Sequence, residues 1–255
     1  MVLVKDTLVC VDHASRRIRA NPHVRCSFID HPLTTISLIL DPDNVRHTNT
    51  LPTGESYVLP FVNARHHIKA RVVDFYPPRL EDFAIKLSQA EINDDKSDFS
   101  VDMTWDNSPP RWEWSFALHL EEVSSATIGA GASPRSRIWV NVGHLEAQHL
   151  FGNSVDDPAN LREDTALLNK LREKLYILWG DLEEQKRTEG KDEEVREAKR
   201  VKLDNDGDGE TEEKKPSNLP FNCCLAEYGE LREGGHKDEI EDWERRYMMF
   251  GVLIN

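Results

Sequence analysis

The chain has 255 residues, with 32 Lys plus Arg against 46 Asp plus Glu and a formal net charge of −14. That sign excludes a protein held to nucleic acid by bulk electrostatics, and two long polar stretches leave material for one core of modest size. The charge is uneven: residues 181–255 hold 22 acids and 13 bases, so residues 1–180 carry only −5, which leaves room for a local basic groove.

The start, MVLVKDTLVC, lacks the basic end and long apolar stretch of a secretory signal, and no apolar run approaches a membrane span. A soluble intracellular protein that meets no membrane is expected. Cys10, Cys26, Cys223 and Cys224 have neither the spacing of a disulfide framework nor a Cys-x-x-Cys pair, which fits a reducing compartment. Residues 1–62 are punctuated by Pro22, Pro32, Pro42, Pro52 and Pro60 and hold only short apolar runs such as Leu33 to Leu40. They read as an irregular lead-in that wraps a neighbour.

Residues 63–255 read as one domain. HHIKARVVDFY, from His66 to Tyr76, is rich in β-branched and aromatic residues, and its apolar phase shifts between Val72 and Val73 before Pro77 and Pro78 end it. This predicts a strand with a bulge. Residues 88–110 are acidic and without period, and predict a disordered insert. In RWEWSFALHL, Trp112, Trp114, Phe116, Leu118 and Leu120 alternate with Glu113, Ser115, Ala117 and His119, which predicts a second strand. RIWVNV, with Ile138, Val140 and Val142 in one phase and Trp139 and Asn141 in the other, predicts a third.

Asp157 and Pro158 then look like an N-cap and a first helical position, and Leu161, Leu168, Leu171, Leu175, Leu178 and Leu182 recur at helical steps. One amphipathic helix over 158–182 is expected. It needs about three turns to plug a barrel and has about twice that, so Leu161, Leu168, Leu175 and Leu182 are candidates for holding a partner helix. Residues 184–218 carry no core face and predict a second disordered insert. LPFNCCLAEY, with Phe221, Cys223 and Leu225 in phase, and WERRYMMFGVLI supply the last two strands. The order β-β-β-α-β-β is that of a five-stranded OB-fold barrel, mainly β with a long helix.

Catalytic motifs are missing: there is no Gly-rich phosphate loop, nucleophile elbow or paired-carboxylate signature, so no enzyme is expected. In GHLEAQH, His144 and His149 are five apart with Glu146 two on from the first, which fails the spacing of a zinc-protease helix. His13, His23, His31, His66 and His67 with Cys10 or Cys26 fix no coordination geometry, and Asp204, Asp206 and Asp208 begin a calcium loop whose twelfth position is Lys215. No metal or cofactor is expected. AKRVKLD resembles the monopartite nuclear-import signal of the Myc protein, with Lys199, Arg200 and Lys202 open to an import receptor. For nucleic acid, Phe75, Tyr76 and Trp139 are candidate stacking rings and Lys69, Arg71 and Arg79 candidate phosphate contacts. Large aromatics on half-buried strands also simply build cores, and for Trp139 both readings stand.

LPFVNARHHIKARVVDFYPPRLEDFA, RWEWSFALHLEE, NLREDTALLNKLREKLYILWGDLEEQK, PFNCCLAEYGE and WERRYMMFGVLI, in that order, resemble the C-terminal portion of fungal protection-of-telomeres proteins over about residues 25–255. The resemblance implies a nuclear, chromosomal subunit of a shelterin-like complex that guards single-stranded telomere ends and regulates telomerase. In that family N-terminal OB folds grip the G-rich strand and the C-terminal one recruits a second shelterin-like subunit. The gripping folds are not in these residues, nor are the two Cys-x-x-Cys pairs and the resolvase-like insert of animal members. A telomere-capping module that binds a shelterin-like protein partner, with telomeric single-stranded DNA reached indirectly, is therefore expected. The alternative is a stand-alone single-stranded DNA-binding OB domain.

Overall fold

A computed structural model describes residues 19–28, 31–41, 47–88, 110–123, 135–188, 218–237 and 239–255. In chain order the strands are β1 (Val24–Cys26), β2 (Thr48–Thr50), β3 (Ser56–Val58), β4 (Arg65–Tyr76), β5 (Ala84–Lys86), β6 (Trp112–Trp114), β7 (Phe116–Glu122), β8 (Arg137–Val142), β9 (Phe221–Leu231), β10 (Trp243–Phe250) and β11 (Val252–Ile254). The helices are α1 (Ile36–Ile39), α2 (His144–Phe151), α3 (Thr165–Trp179) and α4, over 182–188.

Alternation, interrupted by a bulge in β4, gives β4, β7, β8, β9 and β10 each an apolar face, and the five close on one another in the order β10-β8-β7-β4-β9. All pairs in the barrel are antiparallel except β8 with β10, where Asn141 faces Met248 in parallel. That is the closed OB barrel expected, with α2, α3 and α4 between the third and fourth barrel strands. The register of β4 on β7 shifts between Val72 and Asp74, where the bulge was expected. Ile68, Ala70, Val72, Leu118, Leu120, Val140, Phe221 and Leu225 fill the interior with no exposed surface.

Three expectations change in detail. RWEWSFALHL is two strands: Trp112 to Trp114 pairs with β5, Ser115 donates its N–H to the Phe83 carbonyl at 2.8 Å, and only from Phe116 does the chain join the barrel. The alternation runs through unbroken because both partners present an apolar face to the same core. The helix starts not at Pro158 but at Thr165, where the Asp164 carboxylate accepts the Leu167 N–H at 2.8 Å. Before it, the Asn160 side chain accepts the Arg162 N–H, a local turn that competes with helix, and Gly180, at φ 66°, ends α3 before α4 begins. Residues 189–217 lie outside the described residues, but 184–188 belong to α4 and Asn218 is buried, donating to the Val72 carbonyl at 2.8 Å.

The described part of the lead-in is built into the same core. β1 pairs antiparallel with β11, Val24 opposite Ile254, and α1, capped by Thr35, buries Ile36 and Ile39. The hairpin of β2 and β3 stands outside, exposed along both strands.

Candidate interaction surfaces

The outward faces of β4, β7 and β8 carry three cross-strand rows: Arg71, Glu121, Arg137; Asp74, His119, Trp139; and Tyr76, Ala117, Asn141. In the middle row the His119 and Trp139 rings are parallel, 4.5 Å between centroids and 3° between planes, and Trp139 keeps 44% of its surface exposed. Burial, and next the Arg137 charge, lower the His119 pKa, which favours the neutral form of the stacked ring. In the row beside it, the buried Glu121 carboxylate accepts from Arg135 at 2.9 Å and from both Nε and Nη2 of Arg137 at 3.1 and 3.0 Å. One anion thus serves two guanidinium groups. Opposite it, Arg71 has a buried Nε without a hydrogen-bond partner among the described residues. Burial, then Arg135, lower its pKa, while Glu121 acts the other way. This face is locally cationic on an acidic chain.

Lys69, Arg71, Tyr76 and Trp139 lie on or beside that face, Tyr76 with 64% of its surface exposed, and Arg79 is exposed just beyond β4. Phe75 is a correction. The bulge turns it inward, fully buried, stacked on Trp179 at 4.6 Å and edge-on to Phe83, and Lys186 lies over its ring. No base can reach it. The partner-binding leucines are corrected too: Leu161 and Leu175 have no exposed surface, Leu168 has 8%, and Leu182 packs half-buried on the core. α3 is 15 residues long, about four turns, so the barrel uses all of its stripe. Lys199, Arg200 and Lys202 lie outside the described residues.

A different apolar surface appears at the lead-in. α1 turns Ile36 and Ile39 inward while Leu33, Leu38 and Leu40 stand 60%, 54% and 42% exposed. Leu33 is tied by a parallel bridge to His67, and Ser37 donates N–H and hydroxyl to Glu122, so these leucines are held on the barrel. The run LTTISLIL carries that signal in its composition, apolar beyond what one helix face can bury.

Sequence reasoning also passed over a buried polar cluster. In β9 the inward phase of Phe221, Cys223 and Leu225 continues to Glu227, an acid where an apolar residue is due. Its carboxylate accepts the Val62 N–H at 2.8 Å and meets His47 Nε2 at 2.9 Å, His66 Nε2 at 3.5 Å and Arg245 Nε at 3.8 Å. Burial pushes this carboxyl up, but His66, Val62 N–H and His47 outweigh it and hold it at about 2. Val62 and His47 make hydrogen bonds at 2.8 and 2.9 Å, whereas His66 Nε2 and the Glu227 oxygen it faces, 3.5 Å apart, make none. Among the described residues no cluster is arranged to hold a metal.

No protein-family model matches the chain. Over 120 residues, 47% of this chain, it is 29% identical to protection of telomeres protein 1 of Schizosaccharomyces pombe. It is similar to a region of a fungal protection-of-telomeres protein. The match spans 16% of that protein's length, so the chain corresponds to a small part of it. A chain in the crystal structure of fission yeast Pot1 and Tpz1 matches 93% of this chain and 99% of its own length, with a TM-score of 0.59 and 22% identity. At that identity the likeness is one of fold.

Proposed function

We propose that this chain is the OB-fold module of a telomere-capping protein, non-catalytic and nuclear, which holds a shelterin-like protein partner at single-stranded telomeric DNA. The observation that carries this reading is its likeness, over nearly the whole chain, to a protein whose crystal structure pairs fission yeast Pot1 with Tpz1. The partner surface is the patch of exposed leucines in and beside α1, Leu33, Leu38 and Leu40, an apolar surface of the kind a partner covers. Calorimetric titration of the chain with its shelterin-like subunit should give saturable binding. In the Leu38→Asp, Leu40→Asp double variant affinity should fall about tenfold or more, the cost of about 1.4 kcal/mol at an apolar contact, with the melting temperature unchanged. No binding by the wild type would sink the reading; wild-type affinity in the variant would move the interface elsewhere.

The Trp139 and His119 stack in its cationic surround favours a second reading, direct binding of single-stranded DNA. Trp139 and Tyr76 would stack bases and Lys69, Arg71 and Arg79 would meet phosphates. A G-rich strand should then shift in a gel at low salt, fade as salt rises, and lose the shift with Trp139→Ala; no shift at low salt refutes direct binding.

A further inference from the structure

The lead-in meets the barrel along a seam where two thiols from distant parts of the chain touch. Cys26 ends β1 and Cys224 lies in β9, and their Sγ atoms stand 3.4 Å apart across 198 positions of sequence. The seam is tightly fixed. Cys26 is paired with Val252, Ser27 donates its N–H to the Gly251 carbonyl at 2.8 Å, and the Phe28 ring packs on Phe250 at 5.2 Å. A Cβ at Gly251 would come within 2.5 Å of that Phe28 ring, so the two strands leave no slack here. Cys26 is partly exposed, whereas Cys224 is buried beneath it with its Sγ 3.6 Å from the Phe28 carbonyl. Strand alternation sends the neighbouring Cys223 to the barrel interior, fully buried.

We propose that Cys26 and Cys224 form a thiol pair that glutathione disulfide closes to an internal disulfide, fastening the lead-in to β9. The Cys26 thiolate attacks one sulfur of glutathione disulfide, whose S–S bond breaks to release one glutathione. The Cys224 sulfur then attacks the Cys26 sulfur, and the second glutathione leaves as the new S–S bond forms. Both protein thiols are oxidised, glutathione disulfide is reduced to two glutathione thiols, and the two protein protons end on them. The order follows from access, because only Cys26 meets solvent while the second step needs an approach from contact distance to about 2.05 Å. Burial, with Cys26 beside it, pushes Cys224 up to about 12, so little of it is thiolate and it is not the thiol that attacks first.

The test treats the full chain at pH 8 with excess glutathione disulfide, blocks remaining thiols by alkylation, and maps unreduced peptides by tandem mass spectrometry. The expected product is a peptide joining Cys26 to Cys224, lighter by two hydrogens and reopened by dithiothreitol. Cys224→Ser should stop at a Cys26 glutathione adduct, and Cys26→Ser should leave Cys224 without adduct or cross-link. Because Cys26 is partly exposed, the latter variant should fold, and its unchanged melting temperature checks this. The proposal is overturned if wild-type Cys26 stays alkylatable, remains as the glutathione adduct, or joins Cys10 or Cys223 instead.

Discussion

Glu227 occupies a position where β9 turns every other residue into the barrel, and an unpaired carboxylate there would be strongly destabilising. His47 and the Val62 N–H make it tolerable, and they come from the lead-in, so one acid ties that segment to the barrel. A carboxyl held at about 2 in the folded chain and nearer its ordinary range when unfolded stabilises the fold above the unfolded value. That stability is lost as pH falls through the window between them. Unfolding free energies from denaturant titration should therefore drop between about pH 4.5 and pH 2 by up to about 3 kcal/mol more in the wild type than in Glu227→Gln, on the scale of about 1.4 kcal/mol per pKa unit. Parallel curves for the two proteins would show that the cluster contributes nothing. Residue roles were the least legible part of the sequence. Trp139 shows its exposure in the phase of its own strand, but Phe75 lies past a bulge, and which way a ring faces there depends on how many extra residues β4 inserts against its partner strand.

At the scale of elements, the leucine period announced α3 and the apolar alternation announced β7, β8 and β9, because burial against a single core imposes both. Boundaries were harder to read. Asp157 followed by proline and Asp164 followed by Thr-Ala-Leu are both good local starts, and the Asn160 turn decides between them. Asp164→Ala should cost about 1 kcal/mol in urea denaturation, the loss of one N-cap, and Asp157→Ala should stay within about 0.5 kcal/mol as an exposed loop change. Equal effects would place the cap wrongly. The same reasoning explains why the helix offers no leucines to a partner: with about two turns removed from its start, the remaining stripe matches the barrel surface it covers.

The whole molecule is an OB barrel whose early segment and last strand close on each other, and this closure was not visible in a proline-rich lead-in without period. β1 covers β11, the Asn21 amide donates to the Ile177 carbonyl at 2.7 Å, the Asn21 N–H donates to Pro220 at 2.6 Å, and the Asn255 N–H returns to His23 at 2.8 Å. These bonds bind the start of the described chain to the end of α3, the entrance of β9 and the last residue at once. Removing residues 1–28 would uncover Val252 and Ile254, each now almost fully buried, and strand several backbone groups without partners. At about 1 kcal/mol per lost bond plus the exposed apolar area, the cost is about 3–5 kcal/mol. For a chain of this size that is a fall of roughly 10 °C in melting temperature. Thermal unfolding followed by circular dichroism should show one cooperative transition shifted down by that amount. An unchanged midpoint would mean that the barrel stands without its lead-in, and that β1 is an attachment to the fold and not one of its walls.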